Sequence, residues 1–410
     1  MDREPFDHLW IHARLATLDT KVSAPCGLLE DHALAVRGES IAAILPTNAP
    51  EVRAFRGAVT DCGGKFVTPG FIDCHTHLVW GGSRAADWES RLAGEPYTEI
   101  AKRGGGILST VRATRAMTED ELLRAAFSRL RALVAEGVTC IEIKSGYGLT
   151  LDDERKMLRA ARRVASECGI EVSPTLLAAH AVPPEFAGRA DDYVTLICDE
   201  MIPAVASENL AEAVDVFCES IAFTPAQCDR IFTAAKKYRL AVKGHVEQLT
   251  NSHGAELIAR HGGCSADHLE FLDDAGIAAI AKAGTVAVLL PSAFYFLREK
   301  QKPPVEKLRA AGVPMAVASD LNPGTSPFAS LRLAMNMACV LYGLAPEEAF
   351  AGVTREAAKA LGRSNRLGTL EAGKRGDFLV WDVAHLAEIV CQLGVNPLTE
   401  RVVRGKSDNA

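Results

Sequence analysis

A chain of 410 residues with 48% hydrophobic and 24% charged residues has the balance of an ordinary globular protein and is long enough to bury a large core. Its net charge of −7 argues against a nucleic-acid partner or an anionic membrane surface. The longest uncharged run, residues 283–297, is too short to span a bilayer and contains Pro291. The charged start, Met1 to Asp7, has no apolar signal core, so a cytoplasmic location is expected. The eleven cysteines follow no Cys-x-x-Cys spacing and mostly sit in apolar runs, as Cys140, Cys198, Cys264 and Cys339 do. They read as reduced structural thiols rather than a disulfide framework.

Residues 1–66 carry short β-like runs, Leu9-Trp10-Ile11, Ala33-Leu34-Ala35-Val36 and Ser40-Ile41-Ala42-Ala43-Ile44, parted by turn clusters such as Arg37-Gly38-Glu39. The same texture returns after residue 370, in Leu370 to Asp377 and then Phe378-Leu379-Val380-Trp381. Both chain ends are therefore expected to form one small β-sandwich domain, from residues 1–66 plus 370–410, with residues 67–369 inserted between them.

The inserted part alternates. Strand-like runs fall at 71–75, 138–143, 172–178, 214–218, 241–245, 266–269, 286–290 and 315–319. Helical patterns fall at 119–136, 152–167, 207–213, 225–237, 252–260, 274–283, 305–311 and 330–341. Thr118-Glu119-Asp120-Glu121 has the form of a capping box. Eight strand–helix units predict an α/β fold, a (β/α)₈ TIM barrel, with an open doubly wound sheet as the alternative. The longest insertion, residues 80–111, holds Gly81-Gly82-Ser83-Arg84, Tyr97 and Arg103-Gly104-Gly105-Gly106. The glycine run lacks the Lys-Ser/Thr of a phosphate loop, and a mobile lid over the barrel mouth is expected instead.

Catalytic residues of a barrel gather where its strands end. The first strand runs through Pro69-Gly70-Phe71-Ile72-Asp73-Cys74 into His75-Thr76-His77, and residues two apart on a strand share a face. A lone His-x-His is also what two surface histidines look like. Here, however, five of the eleven histidines, His75, His77, His180, His245 and His268, sit at expected strand ends. The second strand runs into Lys144-Ser145-Gly146-Tyr147-Gly148, and the eighth into Ser319-Asp320-Leu321-Asn322-Pro323-Gly324-Thr325. His75, His77, His245 and Asp320 make a ligand set of three imidazoles and a carboxylate, suited to one zinc or iron ion per chain. An open position would hold a water of lowered pKa.

This first-strand motif, with His245, His268, Asp320 and the closing Gly373-Lys374-Arg375-Gly376-Asp377-Phe378, resembles the amidohydrolase superfamily. Four segments resemble its imidazolonepropionase family in particular: Val79 to Arg84, Gly104 to Ile107, Glu142 to Leu149, and Ser319 to Gly324. The resemblance implies metal-dependent hydrolysis of the ring amide of 4-imidazolone-5-propanoate to N-formimidoyl-L-glutamate. It implies Asp320 and His268 as the proton-handling residues. Arg84 and Tyr97 would hold the propionate, Tyr147, His180 and Gln248 would contact the substrate, and Asn322, Gly324 and Thr325 would supply donors to the new carboxylate. Some relatives carry Glu where Gln248 stands, and Glu247 is a candidate to act behind His245. A small-molecule substrate and a homodimer are the implied partners. Two other readings stay open: a deaminase or hydrolase of another small cyclic amide or nucleobase, and a barrel that has lost catalysis.

Overall fold

The structure is a computed structural model that describes residues 6–96, 99 and 104–408. Its first five strands are β1 (His8–Ala16), β2 (Leu28–Arg37), β3 (Ser40–Pro46), β4 (Ala58–Asp61) and β5 (Phe66–Pro69). Eight follow: β6 (Phe71–Asp73), β7 (Val138–Lys144), β8 (Glu171–Ala179), β9 (Ala213–Cys218), β10 (Ala241–Val246), β11 (Ser265–His268), β12 (Val286–Leu289) and β13 (Met315–Val317). The last three are β14 (Phe378–Trp381), β15 (Leu398–Val403) and β16 (Lys406–Ser407).

Strands β6 to β13 lie side by side in chain order, and every ladder between them is parallel. Helices on the connections cover them, as parallel sheets require. All eight expected strands are present, within a few residues of their expected ends. Closure between β6 and β13 is made just beyond both strands. A parallel bridge joins Thr76 to Leu321, the Asp320 amide donates to the His75 carbonyl at 3.0 Å, and the His77 amide donates to Leu321 at 2.9 Å. The barrel is therefore zipped shut at the residues that the sequence marks as ligands.

The chain ends meet in a mixed sheet of order β16-β15-β14-β5-β1-β2-β3, with β4 added on β1. Its core sets Trp10 edge-on against Phe378, 4.8 Å between ring centres. The chain passes from this sheet to the barrel at Gly70, whose amide donates to the Asp377 carbonyl at 2.9 Å. A Cβ there would meet the Thr139 hydroxyl at 2.3 Å, so only glycine lets the two units approach this closely. Phe71 then packs on Trp381 across the junction, at 5.4 Å.

The Thr118 capping box forms as expected, with Glu121 reciprocating. One expected helix does not. Residues 207–213 read as amphipathic, yet the helical run spans Ala190–Leu196, a π turn Ile197–Met201 and Ile202–Ser207, and ends there. Asn209 takes the left-handed conformation (φ 53°), and the Leu210 amide folds back to the Val205 carbonyl, which terminates the helix before β9. The insertion is partly helical, over Ala85–Leu92 and Ile107–Ala116. Tyr97 and Arg103 lie outside the described residues. All eleven cysteines are free thiols. Among the described residues no helix is long and apolar enough to cross a membrane.

Candidate active site

Three histidines converge at the barrel mouth, each offering one nitrogen within 4.8 Å of the others. Carboxylates from behind set their orientation. His75 Nδ1 pairs with Asp267 Oδ2 at 2.7 Å, and His245 Nδ1 with Asp215 Oδ1 at 3.0 Å. Each carboxylate holds the proton on Nδ1 and leaves Nε2 as a lone-pair donor. His245 Nε2 faces His77 Nε2 at 3.3 Å. Asp320 Oδ1 lies 3.4 Å from His75 Nε2 and 3.5 Å from His77 Nε2. Ligand bonds of about 2.0–2.1 Å in a tetrahedron separate donor atoms by about 3.4 Å, so these spacings fit one ion.

The chemistry of the donors fits as well. His75 Nε2 is buried without a hydrogen-bond partner among the described residues, a costly state that a metal bond relieves. Burial, reinforced by Lys144, holds His75 well below the usual histidine range. Burial and then His180 do the same for His77. Both are therefore neutral at pH 7, the form that ligates. Burial pushes the Asp320 carboxyl up to about 7, a penalty that a neighbouring cation removes.

Beneath the histidines lies a buried ionic array. Lys144 Nζ contacts Asp215 at 2.6 Å, Glu142 at 2.8 Å and Asp267 at 3.8 Å. Lys243 Nζ contacts Glu142 at 2.6 Å, and the Thr175 hydroxyl donates to the same carboxylate at 2.7 Å. With Asp320, the carboxylates outnumber the two ammonium groups, and a cation at the histidines balances the excess. Sequence reasoning missed Asp215, Asp267, Glu142 and Lys243 in this role. The available signal was a charged residue inside an apolar strand, as in Val214-Asp215-Val216 and Ile141-Glu142-Ile143.

The remaining expected residues divide into two groups. Tyr147 and His180 line one side of the histidines. The His180 ring stacks on His77 at 5.3 Å, and Tyr147 lies 5.8 Å from His77. His180 donates from Nδ1 to the Gly146 carbonyl at 3.0 Å, and burial pushes it down to about 4. Glu154 is buried and accepts the Gly148 and Leu149 amides at 2.8 Å and that of Gly146 at 3.0 Å, which fixes the turn carrying Tyr147. His268 faces the ligands from the far side, 5.4 Å from the His245 ring and 5.9 Å from that of His75, with its Nδ1 buried and unpaired among the described residues. Arg84 Nε donates to Asp87 at 2.5 Å, and its guanidinium lies across Gly324, where a Cβ would meet Nη1 at 3.3 Å.

The expected donors of the eighth-strand loop are used inside it. Asn322 Oδ1 accepts the Gly324 amide at 2.9 Å and the Thr325 amide at 2.7 Å, and Asn322 Nδ2 donates to the Asp320 carbonyl at 2.7 Å. The Thr325 hydroxyl also bonds Asn322. The Asn322 side chain thus closes the turn that carries Gly324 and Thr325 beside Asp320. Gln248 is half-buried, and its backbone amide donates to Glu219 at 2.7 Å. Strand alternation does not reach Glu247: β10 ends at Val246 and Glu247 takes φ 52°. Its carboxylate accepts the Gly254 and Ala255 amides at 2.7 and 2.9 Å, at the start of the helix Gly254–Arg260.

Comparison with known proteins agrees with this geometry. The profile of the Amidohydrolase family matches residues 66–407. A protein of Chromobacterium violaceum named Imidazolonepropionase is 64% identical over 98% of this chain and 97% of its own length. Proteins of the same name from Hahella chejuensis and Klebsiella pneumoniae (strain 342) are 56% and 57% identical, covering 98% and 97% of this chain and 99% and 97% of their own. At the level of fold, an adenosine deaminase from Xanthomonas campestris solved with bound zinc superposes with a TM-score of 0.69 at 20% identity, covering 98% of this chain and 93% of that one. A 5-methylcytosine deaminase from Klebsiella pneumoniae gives a TM-score of 0.74 at 17% identity, covering 97% and 96%. The chain belongs to the amidohydrolase family and, within it, to the imidazolonepropionases.

Proposed function

We propose that this chain hydrolyses the ring amide of 4-imidazolone-5-propanoate to N-formimidoyl-L-glutamate, the third step of L-histidine degradation. The observation that carries the substrate is the 64% identity, over nearly the whole length, to a protein named Imidazolonepropionase. The arginine at the mouth supports it, because a propionate arm needs a cation.

His75, His77, His245 and Asp320 are the residues that would hold one zinc or iron ion. When bound, such an ion polarises the ring carbonyl and lowers the pKa of a water toward about 7. The water oxygen adds to the carbonyl carbon, and the ring carbon–nitrogen bond breaks. Asp320, beside the ion, takes the proton that the water gives up. His268, neutral and buried, supports the oxyanion or passes the proton to the leaving ring nitrogen. Tyr147 and His180 pack against the ring, and Gln248 bonds the substrate but exchanges no proton. Arg84, with Tyr97, holds the propionate through charge-assisted hydrogen bonds. We assign a cytoplasmic location and a homodimer on the family resemblance alone.

The test is turnover by purified protein, with the loss of imidazolonepropionate followed by ultraviolet absorbance and the product identified by mass. Formimidoylglutamate as product supports the reading. A metal-loaded protein that leaves the compound untouched overturns the substrate assignment.

A further inference from the structure

Resting on that reading, the arginine at the mouth is held in place by its neighbours on the insertion. Asp87 Oδ2 accepts two hydrogen bonds, one from Arg84 Nε at 2.5 Å and one from the Gly106 amide at 2.9 Å. Gly106 opens the helix Ile107–Ala116 from a backbone conformation (φ 72°, ψ −163°) that suits glycine. One carboxylate thus joins both sides of the insertion to the arginine. Among the described residues, the Nε bond to Asp87 is the hydrogen bond that the Arg84 guanidinium makes. A guanidinium held by Nε presents its two terminal nitrogens as a fork, the edge that matches a carboxylate.

A second fastening lies one residue on. The Trp88 ring stacks on Phe296 with 6.0 Å between centres and 15° between planes, and Phe296 meets Phe328 edge-on at 5.6 Å. Arg91, from the same helix Ala85–Leu92, sits over Phe296 at 5.2 Å. Phe328 is four residues beyond Gly324, the residue Arg84 crosses. The short helix is therefore pinned to the eighth-strand loop at its N-cap, by Arg84 on Gly324, and at its middle, by Trp88 through Phe296 on Phe328. Trp88 remains 44% exposed, so the stack buries little area for its own sake.

We infer that Asp87 and Trp88 are positioning residues that set the Arg84 fork for a carboxylate-bearing substrate, and so determine specificity for the arm rather than the ring.

The test compares imidazolonepropionate with 4-imidazolone, which lacks the arm, in the wild type and in Arg84→Ala, Asp87→Asn, Trp88→Ala and Trp88→Phe. Losing an aligned charge-assisted contact raises KM on the order of tenfold. Asp87→Asn and Trp88→Ala are expected to raise KM that far for the arm-bearing substrate, with kcat within about twofold. KM for the bare ring is expected to move less, and Trp88→Phe to restore the wild-type value. Arg84→Ala is expected to give the same arm-specific rise, and Asp87→Asn to add nothing to it. If Arg84→Ala shows the rise while Asp87→Asn and Trp88→Ala do not, or lower kcat on both substrates alike, the positioning role is overturned and the substrate reading survives. If the wild type turns over neither compound, or prefers the bare ring, the substrate reading itself fails, and this inference with it.

Discussion

The amide of Asp320 donates to the carbonyl of His75 at 3.0 Å, and the same two side chains approach at 3.4 Å. That backbone bond, with the one from the His77 amide to Leu321, closes the barrel and fixes the distance between two donors on opposite edges of the sheet. The site is preorganised by the fold, because the strands cannot meet elsewhere without opening the barrel. Asp320 takes φ 51° to do this, and His268 takes φ 83° across the mouth, the strained backbone expected where function overrides local preference.

Metal removal is expected to cost stability as well as activity. An ion at a thousandfold excess over its Kd stabilises the folded chain by about 4 kcal/mol. Thermal unfolding of chelator-treated protein should show a lower midpoint, restored by added zinc or iron. In His245→Ala the added metal should give no such rise.

Asp215→Asn should weaken metal binding without removing a ligand. Its carboxylate holds His245 Nδ1 at 3.0 Å and Lys144 at 2.6 Å. Loss of such an orienting carboxylate costs on the order of 10- to 100-fold in affinity. Competition against a metal-sensitive dye measures it, and an unchanged affinity would show that the histidine is held without it.

Gly324→Ala should act on substrate binding with little effect on stability. Gly324 does not occupy the left-handed region, so a Cβ is tolerated by the backbone. That Cβ would lie 3.3 Å from Arg84 Nη1 and 3.7 Å from its Cζ, pressing the guanidinium away. A change at a half-buried loop site free of backbone strain is expected to cost within about 0.5 kcal/mol of stability. KM for imidazolonepropionate should rise on the order of tenfold, since small misplacements of a positioning group are expensive.

At the opposite end of the barrel, Glu171 gives a pH prediction. Burial raises its pKa, but Arg375 and Arg363 outweigh burial and hold it down at about 2, with ion pairs of 2.7 and 3.1 Å. A carboxyl whose folded pKa is depressed contributes stability that is present above its unfolded pKa of about 4.3 and lost as pH falls through the folded value. Stability should therefore fall between about pH 4.3 and 2 as this group is protonated. Glu171→Gln should be less stable than wild type at pH 7, and the difference should close toward pH 2 in denaturant melts. A constant difference across that window would contradict the assignment.

The sequence made the strand ends legible because alternating apolar runs break at polar residues, and His75, His77, His245 and Asp320 stand at those breaks. It did not reveal the array beneath them. Asp215 is a single charge in an apolar strand and Asp267 stands next to His268, and only the closed barrel brings them behind the histidines from two different strands. Nor does a sequence say that Asn322 closes its own turn onto the Gly324 and Thr325 amides. The helix expected at 207–213 failed for a local reason, the left-handed Asn209, which hydrophobic periodicity does not register. Asp87 stands three residues from Arg84, but its second bond, to the Gly106 amide, crosses nineteen residues, beyond any local pattern.

A metal held by these histidines would make the chain an imidazolone amidohydrolase. The direct measurement is a metal titration of the stripped protein, reading bound metal and the rate of formimidoylglutamate formation on the same samples. No turnover is expected without metal, and the rate is expected to rise in proportion to bound metal and level off at one ion per chain. Full turnover in stripped protein, or a saturated site with no product, would contradict it.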